Sequence, residues 1–357
     1  MKKYIYIFIA LTLVAGSVFG AEKFLARKRS SQSSPTPAKS APARPNLRSF
    51  SGIINLADTA IENALSQNST EPQTSPDSQT SNTDNSQAGN TSFSFAIFGD
   101  TKEFDAQNSN GNLQKAVARV KDLDLKAVFV MGDLIHKCDG GSSCESDFND
   151  WKSVMSPLLA KTYEVVGNHD RTGGNKADAV WQKVFNLPQN GPAGYEEMVY
   201  SFDIGNSHFA VLDSEKPHIT IINSIQRNWL DHDLSSSTKL HKFVFYHEPA
   251  FQAAQDAEDG LDAHPSERDA LWNIIKKYQA DAVFNGHAHI YARKNIGGIE
   301  QIVVGDTDST NDDIVQPGLS DFGYKGKSYA IVTVNGKNIN LKLFTVDGKQ
   351  IDSFDFS

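Results

Sequence analysis

Five short apolar runs, each followed at once by a glycine or a polar side chain, organise the chain from residue 93 onward. They are Phe95–Phe98 before Gly99-Asp100, Ala127–Met131 before Gly132-Asp133, and Tyr163–Val166 before Gly167-Asn168-His169-Asp170. Phe243–Tyr246 then precedes His247-Glu248, and Ala282–Asn285 precedes Gly286-His287-Ala288-His289. Short runs rich in Val and Phe, without polar alternation, read as strands buried on both faces. Between them, apolar positions recur at helical spacing. The pattern predicts helices over 112–121, with Leu113, Val117 and Val120 on one face, and over 148–159, 177–185, 222–234 and 265–278. Segments 199–203 and 209–213 flank Gly205-Asn206, a hairpin signal. Segments 329–334, 338–345 and 350–356 alternate as late strands, with Asn335-Gly336 and Asp347-Gly348 as turns. Strand and helix alternate early and antiparallel strands close the chain, so the fold class is α/β.

Residues 1–92 follow a different pattern. Lys2 and Lys3 precede an apolar run from Tyr4 to Phe19, which reads as a targeting segment over 1–28. Two readings stand: a cleaved signal peptide, or an N-terminal membrane anchor, since the run approaches a bilayer span and basic residues follow it. Either one predicts export, to a secreted or a surface-anchored form. Residues 29–92 are rich in Ser, Thr, Asn, Gln and Pro and read as a linker that cannot bury enough apolar surface to order itself. Within it, 53–65 carries apolar residues near helical spacing and reads as a docked or a transient helix. The folded domain then spans 93–357.

The net charge of −9 argues against a nucleic acid as the main partner. The two cysteines, Cys138 and Cys144, enclose Gly140, Gly141, Ser142 and Ser143. An exported protein meets oxidising surroundings, so a Cys138–Cys144 disulfide is expected.

Functional groups in open α/β sheets gather beyond the carboxyl ends of the strands. Asp100, Asp133, Asn168, His169, His247, His287 and His289 should therefore converge. Carboxylate, amide oxygen and imidazole together suit divalent first-row metals. The set exceeds what one catalytic ion needs, which points to a two-metal site.

The order Gly-Asp, Gly-Asp, Gly-Asn-His-Asp, His, Gly-His-x-His resembles the calcineurin-like metallophosphoesterase superfamily. That resemblance implies a four-layered αββα sandwich with two facing mixed sheets. It also implies roles. Asp133 would bridge two ions, Asp100 and His289 would hold the first, and Asn168, His247 and His287 the second. The ions would be Fe, Mn or Zn. A hydroxide held between them would attack a small phosphorylated substrate, a phosphomonoester or phosphodiester. His169 would serve the leaving oxygen, with Asp170 orienting its imidazole.

One position departs from the family pattern. Many members have Asp-x-His in the first motif, where this chain has Asp100-Thr101-Lys102. Purple acid phosphatases also lack that histidine and place a tyrosine three residues after the bridging aspartate. Here that place is His136, read either as a replacement ligand or as a loop histidine. Lys102 is read either as a contact for substrate phosphate or as a solvent-facing lysine. The stretch from Gly286 to Arg293 is similar to the Gly-His-x-His-x-Tyr-x-Arg stretch of that branch, with Tyr291 and Arg293 expected to serve packing and charge pairing. The resemblance implies an exported phosphoesterase of the purple acid phosphatase-like branch. The rival reading is a surface-tethered, non-catalytic module that binds a ligand or polymer on the same fold.

Overall fold

The computed structural model describes residues 92–254, 260–309 and 317–356. The leader over 1–28, the linker up to residue 91 and the helix expected at 53–65 lie outside the described residues. In chain order the described elements begin with β1 (Ser92–Phe98), α1 (Asn112–Val120), β2 (Leu125–Val130), α2 (Ser142–Met155) and β3 (Thr162–Glu164). Then come α3 (Asn175–Val184), β4 (Tyr200–Ile204), β5 (Ser207–Val211), α4 (Ser224–Ser236) and β6 (His241–Phe245). Next are α5 (Pro265–Lys277), β7 (Ala282–Asn285), β8 (Tyr291–Ile296), β9 (Ile299–Val304) and β10 (Phe322–Tyr324). The chain closes with β11 (Ser328–Asn335), β12 (Asn338–Thr345) and β13 (Gln350–Phe356).

Two mixed sheets result. One is ordered β13-β12-β11-β1-β2-β3, the other β10-β8-β9-β7-β6-β5-β4. In the first, β1, β2 and β3 run parallel while β11 returns antiparallel against β1. In the second, β5, β6, β7 and β9 are parallel. The sheets meet through phenylalanines. Phe129 of one stacks on Phe245 of the other at 3.9 Å, and Phe95 meets Phe209 and Phe243 edge-on at 5.4 and 5.6 Å. The period-2 geometry of a strand explains the unbroken apolar runs. In β6, Phe243 and Phe245 join the core between the sheets, while Val244 and the adjoining Tyr246 join α4 and α5 through Leu230, Leu234, Leu271 and Ile275. On the first sheet, Leu113, Val117, Phe148, Trp151 and Trp181 bring α1, α2 and α3 into the core. This is the expected layering of helices, two facing sheets and helices.

The structure departs from expectation at two places. Helix α2 begins at Ser142, six residues before the expected start, so Cys144 lies in its first turn. Gly141 is extended there and lets the chain turn directly into the helix. Strands β8, β9 and β10 were not expected, because β8 (Tyr-Ala-Arg-Lys-Asn-Ile) carries charges. Those charges are met by distant partners. Arg293 pairs with Asp352 at 2.8 Å and lies over the rings of Phe322 and Phe354. Tyr291 donates to the same carboxylate.

Glu164 at the end of β3 is buried, and burial pushes its carboxyl from 4.5 up to about 8. The unfolded chain releases this proton near its ordinary pKa, whereas the fold holds it. Glu164 should therefore contribute a decline in stability as pH rises from about 4.5 to about 8, and the decline should be shallower in Glu164→Gln. Thermal unfolding of both proteins across that range checks it; parallel curves would contradict the assignment.

Candidate metal centre

The side chains that follow the parallel strands meet at one rim. Asp100 follows β1, Asp133 follows β2, Asn168 follows β3, His247 follows β6, and His287 and His289 follow β7. Glycines permit the approach. Gly132 has φ +91°, and a Cβ on it would lie 2.5 Å from His247 Nδ1. A Cβ on Gly286 would lie 2.5 Å from Met131 O and 2.6 Å from Asp100 Oδ1. Asp133 and His287 themselves adopt left-handed backbone at φ 51° and 66°, a strain that persists only where the surroundings enforce it. Gly286→Ala should therefore weaken metal binding by about 10–100-fold, the range for disturbing the shell around a ligand. Isothermal titration with Zn²⁺ or Mn²⁺ checks this, and unchanged affinity would mean that the packing is less tight than it looks.

Three donor atoms form a compact triangle. Asn168 Oδ1 is 3.1 Å from His247 Nε2 and 3.3 Å from His287 Nδ1, and the two ring nitrogens are 3.3 Å apart. Asp133 Oδ1 adds a fourth atom 3.4 Å from His247 Nε2. A tetrahedral ion with bonds of about 2.0–2.1 Å sets its ligands about 3.3 Å apart, so these residues fit such an ion. His247 Nδ1 donates to Met131 O at 2.6 Å, which turns the lone pair of Nε2 toward the site.

The other half is built from Asp100, Asp133 and His289, whose ligand atoms lie within 4.8 Å of one another. His287 N donates to Asp100 Oδ1 at 3.0 Å. Asp100 Oδ2 is buried with no hydrogen-bond donor among the described residues and faces His289 Nε2 at 3.2 Å. A buried carboxylate oxygen left in this way suits a cation.

Charge follows the same layout. Burial pushes the Asp133 carboxyl up, but His247 and then Lys102 outweigh it and hold it below the usual carboxylate range. Burial and the neighbouring His247 bring His287 down to about 4, so it is a neutral donor at physiological pH. Behind His247, Glu248 and Glu215 are both buried against Ser214, and burial raises both carboxyls. Glu248 directly follows His247 in the chain; nothing in the sequence marks Glu215.

Three expected roles change. Lys102 is neither free for a substrate nor turned to solvent. Its Nζ lies 2.9 Å from Asp133 Oδ2, and its side chain is 9% exposed. Burial lowers its pKa, but Asp133 and Asp100 more than offset that and raise it. His136 is not in the ligand set: its ring is 75% exposed and lies 3.3 Å from Glu103. Its backbone carbonyl does the local work, accepting from His169 Nδ1 at 2.5 Å. Asp170 does not orient His169. Its Oδ1 accepts from the amides of Leu134 and Ile135, and its Oδ2 from Gly167 N, so it ties together the loops bearing Asp133 and Asn168. A carboxylate beside tight turns finds backbone N–H donors first. Cys138 and Cys144 are joined, as expected.

The chain belongs to the calcineurin-like phosphoesterase family, whose sequence profile matches residues 93–291. Purple acid phosphatase 13 of Arabidopsis thaliana is 27% identical over 168 residues, 43% of this chain and 29% of that protein. Probable inactive purple acid phosphatase 1 of the same plant is 26% identical over 228 residues, 55% of this chain and 35% of that protein. The chain thus spans about a third of the length of these curated relatives. A purple acid phosphatase isolated from yellow lupin (Lupinus luteus) seeds shares the fold. Its TM-score is 0.62 at 21% identity, covering 75% of this chain and 54% of that one. The clustered residues Asp100, Asp133 and His289 suit metal ligation.

Proposed function

We propose that this chain is an exported metal-dependent hydrolase of phosphomonoesters or phosphodiesters, built around Fe, Mn or Zn. The observation that supports it most is the triangle of Asn168, His247 and His287 with Asp133 beside it, spaced for an ion before any ion is added. A bound ion of this kind polarises a phosphoryl oxygen and lowers the pKa of a water. The protein's own groups do the rest. Asp133, Asn168 and the two histidines fix the position at which phosphate is held. His169 keeps Nδ1 on a backbone carbonyl and turns Nε2 toward the site, 3.9 Å from Asp133 Oδ2, where it exchanges a proton with the leaving oxygen. Export rests on Lys2, Lys3 and the apolar run after them, and the Cys138–Cys144 bond is in keeping with it. Anchoring through the same segment would attach the protein to a membrane.

The test is hydrolysis of p-nitrophenyl phosphate and bis(p-nitrophenyl) phosphate by the full chain. The chain is first stripped with a chelator, then loaded with Fe, Mn or Zn. Metal-dependent release of nitrophenol supports the reading. No release with any ion would favour the non-catalytic binding module, a possibility raised by the ion pair between Lys102 and Asp133.

A further inference from the structure

The two halves of the centre differ in what already lies within them. In one, donor atoms of Asn168, His247 and His287 face one another at 3.1–3.3 Å. In the other, the Lys102 ammonium sits on Asp133 Oδ2 at 2.9 Å. That oxygen is the one a first ion would have to share, because Asp133 Oδ1 is turned the other way. Oδ1 accepts from His169 N at 2.9 Å and faces His247 Nε2.

The lysine is held there by its backbone. Thr101 N donates to Asp133 O at 3.0 Å, Thr101 Oγ1 donates to Leu134 O at 3.2 Å, and Trp151 Nε1 donates to Thr101 Oγ1 at 3.0 Å. On the other side, Glu103 N donates to Asp308 O at 2.9 Å. Residues 101–103 are thus clamped against the loop that carries Asp133. Charge points the same way. Asp100 and Asp133 supply two negative charges. The next carboxylate, Asp170, commits its oxygens to three backbone amides. One divalent ion and the ammonium already bring three positive charges against these two, and a second divalent ion would face that ammonium at close range, with no further anion between them among the described residues.

We propose that Lys102 is the resident cation of the first position, so that this centre holds one tightly bound divalent ion, on Asp133, Asn168, His247 and His287. The inference rests on reading the rim as a metal centre, and it departs from the two-ion arrangement that the family implies. Asp100 and His289 then serve to hold Lys102 and Asp133 in place.

The test is a count of ions, which does not depend on turnover. The full chain is saturated with Zn²⁺ or Mn²⁺, desalted and measured by elemental analysis. Wild type should retain about one ion per chain, and Lys102→Ala and Lys102→His about two, the number a two-metal site of this kind accepts. Lys102→His restores an imidazole at the position and guards against failure of the alanine variant to fold. His289→Ala should keep the wild-type ion, whereas Asn168→Ala should lose it. Two ions in wild type, an unchanged count in both Lys102 variants, or loss of the ion in His289→Ala would each overturn the proposal. If wild type holds one ion yet hydrolyses nothing, the proposed function fails and this inference stands.

Discussion

Replacing Asp133 by asparagine should remove most of the bound metal and nearly all turnover together. The carboxylate is fully buried and is used on both sides. Its Oδ1 faces His247 Nε2 at 3.4 Å and accepts from His169 N, while its Oδ2 holds Lys102. Asparagine preserves the shape and one acceptor but removes the charge that binds an ion. It also leaves the Lys102 ammonium buried without its counterion. Breaking one partner of a buried pair costs about 3–5 kcal/mol, so unfolding should move to lower temperature. Adding Lys102→Met to the same protein should recover stability without recovering metal, because the uncompensated charge is gone while the ligand is still missing. Elemental analysis and calorimetry separate the two effects. Full metal occupancy with normal turnover in Asp133→Asn would sink the assignment of this residue.

The interior of this fold was legible because buried parallel strands must be apolar on both faces. Phe129 packs on Phe245 while Val244 packs toward the helices, and both demands appear in the chain as Val and Phe runs. The side chains that meet at the rim were legible because each follows such a run. What escaped depends on contacts between distant residues. Strand β8 carries Arg293 and Asn295, whose partners Asp352 and Asp321 lie 59 and 26 residues away. Asp100-Thr-Lys102 shows that a histidine is missing, but only the clamp of Thr101 by Asp133, Leu134 and Trp151 delivers the ammonium to Asp133. The position three residues after Asp133 was singled out, yet its side chain faces outward and its carbonyl faces His169. Sequence motifs point to side chains, and here a main-chain atom carries the role.

That carbonyl defines the second large effect, at His169. A carbonyl only accepts, so Nδ1 of His169 carries the proton in the 2.5 Å contact with His136 O, and Nε2 is the end that can exchange a proton with a leaving group. His169→Ala should lower turnover by about 10²–10⁴-fold, the range for a general acid–base group. Metal content should not change, because the imidazole lies outside the donor triangle and the alanine variant keeps the main-chain N–H to Asp133 Oδ1. Parallel loss of metal would instead make His169 a ligand. The loop behind it supplies the control. Cys138 N donates to His169 O at 2.8 Å, and Cys138 O accepts from Gly173 N at 2.7 Å, so residues 136–138 and 169–173 brace each other. The disulfide to Cys144 ties this loop to the first turn of α2. His136→Ala removes an exposed ring but keeps the carbonyl, so metal content and turnover should both stay near wild type. Replacing both cysteines by serine loosens the carbonyl itself, and should lower kcat with metal retained. If His136→Ala strips the metal, the ring is a ligand after all. If the cysteine variant matches wild type in kcat, the backbone bonds alone hold His169 in place.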